Sequence, residues 1–176
     1  MVTIYRKIID EWYQQYSDGI YRFILMRIGD HEQAKDLVHD TFVKAFKNLG
    51  SFKGDSSGKT WLYQIARNVS VDYLRRKKPF AYMLEQLRFS RIDSRTPEKD
   101  IESHEDMTYL YEALRKIRPQ YKEVIILRKI NELSTKETAE ILGWNESRVK
   151  TNLRRGLIEL KIQLTKEGYV HGENTI

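Results

Sequence analysis

The apolar residues of this chain recur at steps of three and four almost from end to end, and nowhere do they alternate. That spacing is the period of amphipathic helices, so the chain is expected to be all-α. Ile4, Ile8, Ile9, Trp12, Tyr13 and Tyr16 form one stripe. Ile20, Phe23, Ile24 and Ile28 continue it past Gly19, which either kinks one long helix or separates two. Gly29-Asp30 stops and restarts the chain, with Asp30 as cap of the next helix and Gln33 at the N3 position of a capping box. Ala34, Leu37, Val38, Phe42, Ala45, Phe46 and Leu49 make the apolar face of that helix, and Gly50 is the expected stop. After the polar loop SFKGDSSGK, a third helix is expected with Trp61, Leu62, Ile65, Ala66 and Val69 inward. It runs through Arg75, Arg76, Lys77 and Lys78 to Pro79, where continuation is disfavoured.

Between about Phe80 and Ser103 the period is lost, and Pro97 sits among a run of acids. A flexible acidic linker is expected there, with a short helix near 81–89. A second helical unit starts near His104, with Met107, Leu110, Tyr111, Leu114 and Ile117 on one stripe. Pro119 suits the first turn of a further helix packed through Tyr121, Val124, Ile125 and Leu127. The expected architecture is two small helical domains, 1–80 and 105–165, joined by a linker over 81–104 and followed by a disordered tail over 166–176. A chain of 176 residues accommodates two such units.

Several classes of function are disfavoured by what the chain lacks. There is no cysteine, which removes disulfides and thiolate chemistry. The four histidines, His31, His39, His104 and His171, form no ligand cluster with carboxylates, so no metal or cofactor is expected. No GxxxxGK phosphate loop occurs, and the acids are scattered along helix surfaces, so a non-enzymatic protein is expected. No apolar run approaches the roughly 20 residues that span a bilayer. The N-terminus lacks the pattern of a signal peptide. A soluble, cytoplasmic protein is therefore expected.

The net charge of +6 is unevenly placed. Residues 53–78 hold seven basic and two acidic side chains, 79–106 hold four and seven, and 146–163 hold five and two. Two separated basic stretches imply a polyanion touched at two places.

The second stretch lies in a helix-turn-helix. Ser134 and Glu137 form a capping box that opens a short helix. Ala139 allows close crossing, Ile141 and Leu142 face the core, Gly143 ends the helix, and Trp144 fills the corner. Asn145 caps the next helix, whose Val149, Leu153, Leu157 and Leu160 turn inward. Its first half exposes Ser147, Arg148, Lys150, Thr151, Arg154 and Arg155. In this motif the second helix meets base edges in the major groove, and its basic residues neutralise phosphates. A charged surface hairpin would also carry arginines, but it would not need the cap, glycine and inward valine at these spacings.

The first basic stretch joins the polar loop to a helix bearing Trp61, Tyr63, Gln64, Arg67, Asn68 and Asp72. Amide and carboxylate groups can read unpaired bases, and lysine and arginine can hold a single strand. Trp61 is read as core rather than as a stacking platform.

Three segments in order, DLVHDTFVKAF at 36–46, GKTWLYQIARNVSVDYLRRKK at 58–78 and the helix-turn-helix, resemble the extracytoplasmic-function (ECF) group of bacterial sigma factors. The resemblance covers nearly the whole chain. It implies two helical domains, region 2 and region 4, that bind core RNA polymerase and promoter DNA as both duplex and single strand. It assigns Asp36, Leu37, Asp40, Thr41, Phe42 and Lys44 to the polymerase clamp, although Leu37 and Phe42 also suit the core. His39-Asp40 departs from the glutamine-glutamate pair usual there and keeps the acid one methylene shorter. The resemblance assigns Lys53, Ser56, Ser57, Lys59, Tyr63, Gln64, Arg67, Asn68, Asp72, Arg75 and Arg76 to the −10 element and a flipped base. It assigns Ser147, Arg148, Lys150, Thr151, Arg154 and Arg155 to the −35 element. It further implies an alternative, stress-responsive sigma factor and an anti-sigma partner, often membrane-bound. A free-standing helix-turn-helix regulator is the competing expectation, since it would need only the C-terminal motif.

Overall fold

A computed structural model describes residues 1–85, 101–166 and 168, with side-chain surroundings at 1–78, 108–166 and 168. The chain forms two compact units, Met1–Glu98 and Lys99–Ile176. Every regular element among the described residues is helical.

In the first unit α1 runs unbroken over Val2–Ile28. Gly19 lies inside it, so the two alternatives resolve to one long helix. Gly29 ends α1 in the left-handed region, at φ 71°, with its N–H on the Leu25 carbonyl. Helix α2 covers His31–Asn48, and the Asp30 carboxylate accepts the Gln33 N–H at 3.0 Å. Helix α3 covers Gly58–Glu85. The three helices pack against one another around Ile20, Phe23, Ile24, Val38, Leu62, Ala66 and Val69, all buried.

Two expectations about where these helices end change. Gly50 is not a left-handed stop. It sits in a 3-10 turn, Leu49–Ser51, closed by the Phe52 N–H on the Leu49 carbonyl. A methyl group at Gly50 would lie 3.2 Å from the Tyr5 hydroxyl, so the glycine makes room for α1. Pro79 does not end α3, which continues to Glu85. An interior proline removes one helical hydrogen bond and crowds the carbonyl four residues back, at a cost of about 3 kcal/mol, but its φ is itself helical, so continuation is costly and not forbidden. The short helix expected near 81–89 overlaps this extension, and its part beyond Glu85 lies outside the described residues. So do 86–100 of the expected linker and, apart from Lys166 and Gly168, the expected tail.

The second unit comprises α4 (Ile101–Arg115), α5 (Pro119–Ile125), α6 (Thr135–Leu142) and α7 (Glu146–Lys166). Pro119 opens α5. Its continuation, Ile126–Ile130, widens into a π turn in which the Asn131 N–H reaches the Ile126 carbonyl at 2.9 Å. The Arg128 guanidinium donates to the Leu133 carbonyl and ties this turn to the approach to α6. Leu114, Val124, Ile125, Ile126, Leu127, Leu133 and Val149 are fully buried.

Helix α7 packs differently from expectation. Leu157 is exposed, and the inward position is taken by Gly156. A methyl group there would lie 2.9 Å from Tyr121 Cβ and 3.1 Å from Ile125 Cδ1. The missing side chain lets α5 and α7 approach closely, and Leu157 is left off the contact.

Candidate nucleic-acid interface

Helices α6 and α7 build a helix-turn-helix from short-range bonds. The Ser134 hydroxyl accepts the Glu137 N–H at 3.0 Å, and the Glu137 carboxylate accepts the Ser134 N–H at 2.7 Å. Both halves of the capping box are therefore present. Gly143 turns the chain at φ 66°, a conformation glycine adopts without Cβ strain. The Asn145 side-chain oxygen then accepts the Arg148 N–H at 2.8 Å and starts α7. Val149 is buried, which fixes the rotation of α7 about its axis.

With Val149, Gly156 and Leu160 inward, the opposite arc of α7 carries the expected −35 residues. Ser147, Arg148, Lys150, Arg154 and Arg155 are exposed, and Thr151 is half-buried between successive turns. The Arg148 guanidinium lies 4.2 Å from the centre of the Trp144 ring. Stacking of that kind holds a flexible cation over one face of the corner. Trp144 therefore does more than fill the corner.

The first unit offers a second basic surface. Phe52 leads into the loop at 53–57, where Gly54 has φ 75°. Ser57 caps α3, its hydroxyl accepting the Thr60 N–H at 3.1 Å and donating to the Thr60 hydroxyl at 3.0 Å. That hydroxyl, on an exposed residue, is engaged in opening the helix. Along α3, Trp61, Gln64, Asn68 and Arg75 follow one another at steps that keep them on the side away from Leu62, Ala66 and Val69. Asn68, Arg75 and Arg76 are exposed, while Gln64, Arg67 and Lys59 are half-buried. The Asp72 carboxylate holds the Arg75 guanidinium at 2.9 Å. Lys53 is exposed and Ser56 half-buried.

Tyr63 departs from its assignment. It is 3% exposed and meets Phe23 edge-on at 5.4 Å, so it belongs to the core and presents no ring to DNA. Trp61 departs in the other direction. It is only half-buried, packing against Phe52 at 4.8 Å and Trp12 at 6.1 Å.

On α2 the expected clamp residues divide by burial. Asp36, Asp40 and Lys44 are exposed. Leu37, Thr41 and Phe42 are buried, Thr41 donating its hydroxyl to the Leu37 carbonyl at 2.7 Å. These three side chains lie in the core and position the helix, while the charged residues stand on its surface. Phe46, expected on the apolar face of α2, is instead exposed and flanks that surface together with the half-buried Val43, which the apolar pattern passes over. Among the described residues no helix is long and apolar enough to cross a membrane.

Two family models match the chain, Sigma-70 region 2 over residues 12–80 and Sigma-70 region 4 over residues 107–160. The chain is 39% identical over 164 residues to the RNA polymerase sigma factor YlaC of Bacillus subtilis, spanning 92% of this chain and 95% of that protein. It is 34% identical over 158 residues to the ECF RNA polymerase sigma factor SigW of the same organism, spanning 85% and 84%. Among solved structures, CnrH in complex with the cytosolic domain of CnrY is similar at TM-score 0.71 and 22% identity, covering 92% of this chain and 90% of that one. The sigma factor RpoE of Bartonella quintana, in complex with the anti-sigma factor NepR, is similar at TM-score 0.70 and 23% identity, covering 90% and 98%. At those identities the structural likeness speaks for the fold.

Proposed function

Because the chain belongs to the ECF RNA polymerase sigma factors, we propose that its two basic surfaces are separate promoter grips with divided tasks. The observation that carries this reading is the pair of exposed faces on two independently packed helical units. One is a basic helix set by a capped turn, the other a polar loop and helix with amide and cationic groups outward.

The exposed arc of α7 docks on duplex DNA at the −35 element. Arg148 is placed to bond a guanine edge, while Lys150, Arg154 and Arg155 meet phosphates. Ser147 and Thr151 fill the arc between them. In the first unit Lys53, Lys59, Arg67, Arg75 and Arg76 hold the backbone of the −10 region. Ser56, Gln64 and Asn68 face the bases. A base extruded from the opening duplex is captured against this surface. Opening is favoured because the surface binds the unpaired strand better than the paired one. Asp72 serves by orienting Arg75. Asp36, Asp40 and Lys44 on α2 form the charged surface for the clamp of core polymerase.

The relatives are named as sigma factors, so the chain is read as a specificity subunit rather than as an enzyme. Its site of action is then the cytoplasm, where polymerase and chromosome are. An anti-sigma protein is proposed as its regulator. Support comes from one solved likeness, RpoE, which is held in a complex with the anti-sigma factor NepR. Alternative, stress-responsive use follows from the same reading.

Reconstitution with core polymerase tests the proposal. The chain is expected to bind core and to start transcripts from a subset of genomic fragments. Failure to bind core, together with tight specific binding to palindromic duplex DNA alone, would instead make it a free-standing regulator.

A further inference from the structure

Three aromatic side chains meet at the base of the loop at 53–57, and one of them comes from α1. Phe52 precedes the loop and Trp61 follows it, their ring centres 4.8 Å apart and tilted by 32°. Trp12 meets both edge-on, at 5.9 Å from Phe52 and 6.1 Å from Trp61. Trp12 also covers Gly58, the first residue of α3, so tightly that a methyl group there would lie 2.3 Å from its Cζ2. Both ends of a short loop are therefore fastened to each other and to a third element. All three rings are only half-buried, so the cluster lies at the surface beneath the loop rather than in the main core around Phe23 and Leu62.

We infer that Trp12 is a positioning residue for base recognition, holding the loop at 53–57 in the geometry that selects the −10 base. The inference rests on the proposal that this loop and α3 read the −10 strand. The physical reason is preorganisation. Glycine, here Gly54 at φ 75°, leaves a loop backbone permissive unless something holds it, and discrimination between bases needs its polar groups fixed before the base arrives. Edge-to-face aromatic contacts supply directional restraint beyond apolar burial. Trp12 touches no DNA in this scheme. It acts through Phe52, Gly58 and Trp61.

The test is the ratio of affinities of reconstituted holoenzyme for two single-stranded −10 oligonucleotides, the preferred sequence and one substituted at the selected base. A ratio is insensitive to the fraction of protein that is folded. Trp12→Ala is expected to compress the ratio by about tenfold, the size of effect that losing two aromatic contacts implies. Trp12→Phe should restore most of it. Gly58→Ala gives an independent arm, pushing a methyl group into Trp12. Alanine is the better helix former, so compression there cannot come from helix propensity. If Trp12→Ala and Gly58→Ala weaken binding to both oligonucleotides equally, with the ratio unchanged, the cluster is structural only and the inference falls. Lys53→Ala and Ser56→Ala separate the two levels, because Lys53 is assigned to the strand backbone and Ser56 to the bases. If Lys53→Ala weakens binding to both oligonucleotides and Ser56→Ala compresses the ratio while the Trp12 and Gly58 variants leave it unchanged, only the inference fails. If neither Lys53→Ala nor Ser56→Ala changes either affinity, the −10 assignment of the loop fails and takes the inference with it.

Discussion

The two basic surfaces reach their geometry by opposite routes. In the second unit the turn and the start of the proposed reading helix are set by neighbours in sequence, while buried Val149 and Gly156 fix its rotation. Ser134 bonds Glu137, Gly143 turns the chain, Asn145 caps α7 at Arg148, and Trp144 carries the Arg148 guanidinium. In the first unit the loop at 53–57 is fixed by Trp12 from a distant part of the chain. A locally capped helix behaves as a rigid rod suited to docking in a groove that exists already. A loop held by tertiary contacts presents polar groups to a target that forms only when the duplex opens. The difference in construction matches the proposed division between docking and melting.

The comparison can be broken most severely in the core. Phe23 is fully buried and supports α3 through Tyr63. Phe23→Ala should destabilise the first unit by about 3–5 kcal/mol. Thermal melts followed by circular dichroism, with proteolysis to identify the unit that opens, should show α7 still protected. Concerted loss of both units would contradict their independent construction. A smaller effect is expected at Arg148. Arg148→Ala should cost about 1–3 kcal/mol of promoter affinity, read as initiation in vitro, and only on templates with an intact −35 element. Equal loss on templates lacking that element would remove Arg148 from base reading.

Smaller changes sharpen the local side of the comparison. Ser134→Ala removes one half of the capping box and should lower the stability of the second unit by about 1 kcal/mol in a denaturant titration. Loss of −10 discrimination in that variant would contradict the separation. Trp144→Ala removes the ring under Arg148 and should cost about 0.5–1 kcal/mol in binding to −35 duplex. Its effect should vanish in the Arg148→Ala background, because both act through one guanidinium. Additive losses in the double variant would show that Trp144 acts by another route.

What was legible in the sequence follows the same line. The capping box at Ser134, the turn at Gly143, the cap at Asn145 and the inward Val149 all depend on residues a few positions apart, and all are present. The cap at Asp30 was legible for the same reason. Motif resemblance located the α2 and α3 surfaces but could not separate exposed from buried members. Leu37, Thr41, Phe42 and Tyr63 fall within the motifs yet lie in the core. Leucine four residues after Leu153 fits a helical stripe, so pattern alone turns Leu157 inward. The true contact is Gly156, which an apolar pattern passes over because its role is to have no side chain. Pro79 looks like a stop because interior proline is costly in a helix, but that cost is not a prohibition, and α3 continues to Glu85. The Trp12 cluster had no local signature at all. Phe52, Gly58 and Trp61 are visible as a loop boundary, and nothing near them in sequence points to α1.

Permanganate footprinting of the reconstituted holoenzyme tests the division of labour most directly. On one promoter, Asn68→Ala should retain a DNase footprint over the −35 region while losing reactive thymines in the −10 region. Arg148→Ala should weaken the −35 footprint yet still yield reactive thymines at protein concentrations high enough to restore occupancy. Reactivity unchanged from wild type in Asn68→Ala, or absent in Arg148→Ala at full occupancy, would contradict separate grips for docking and melting.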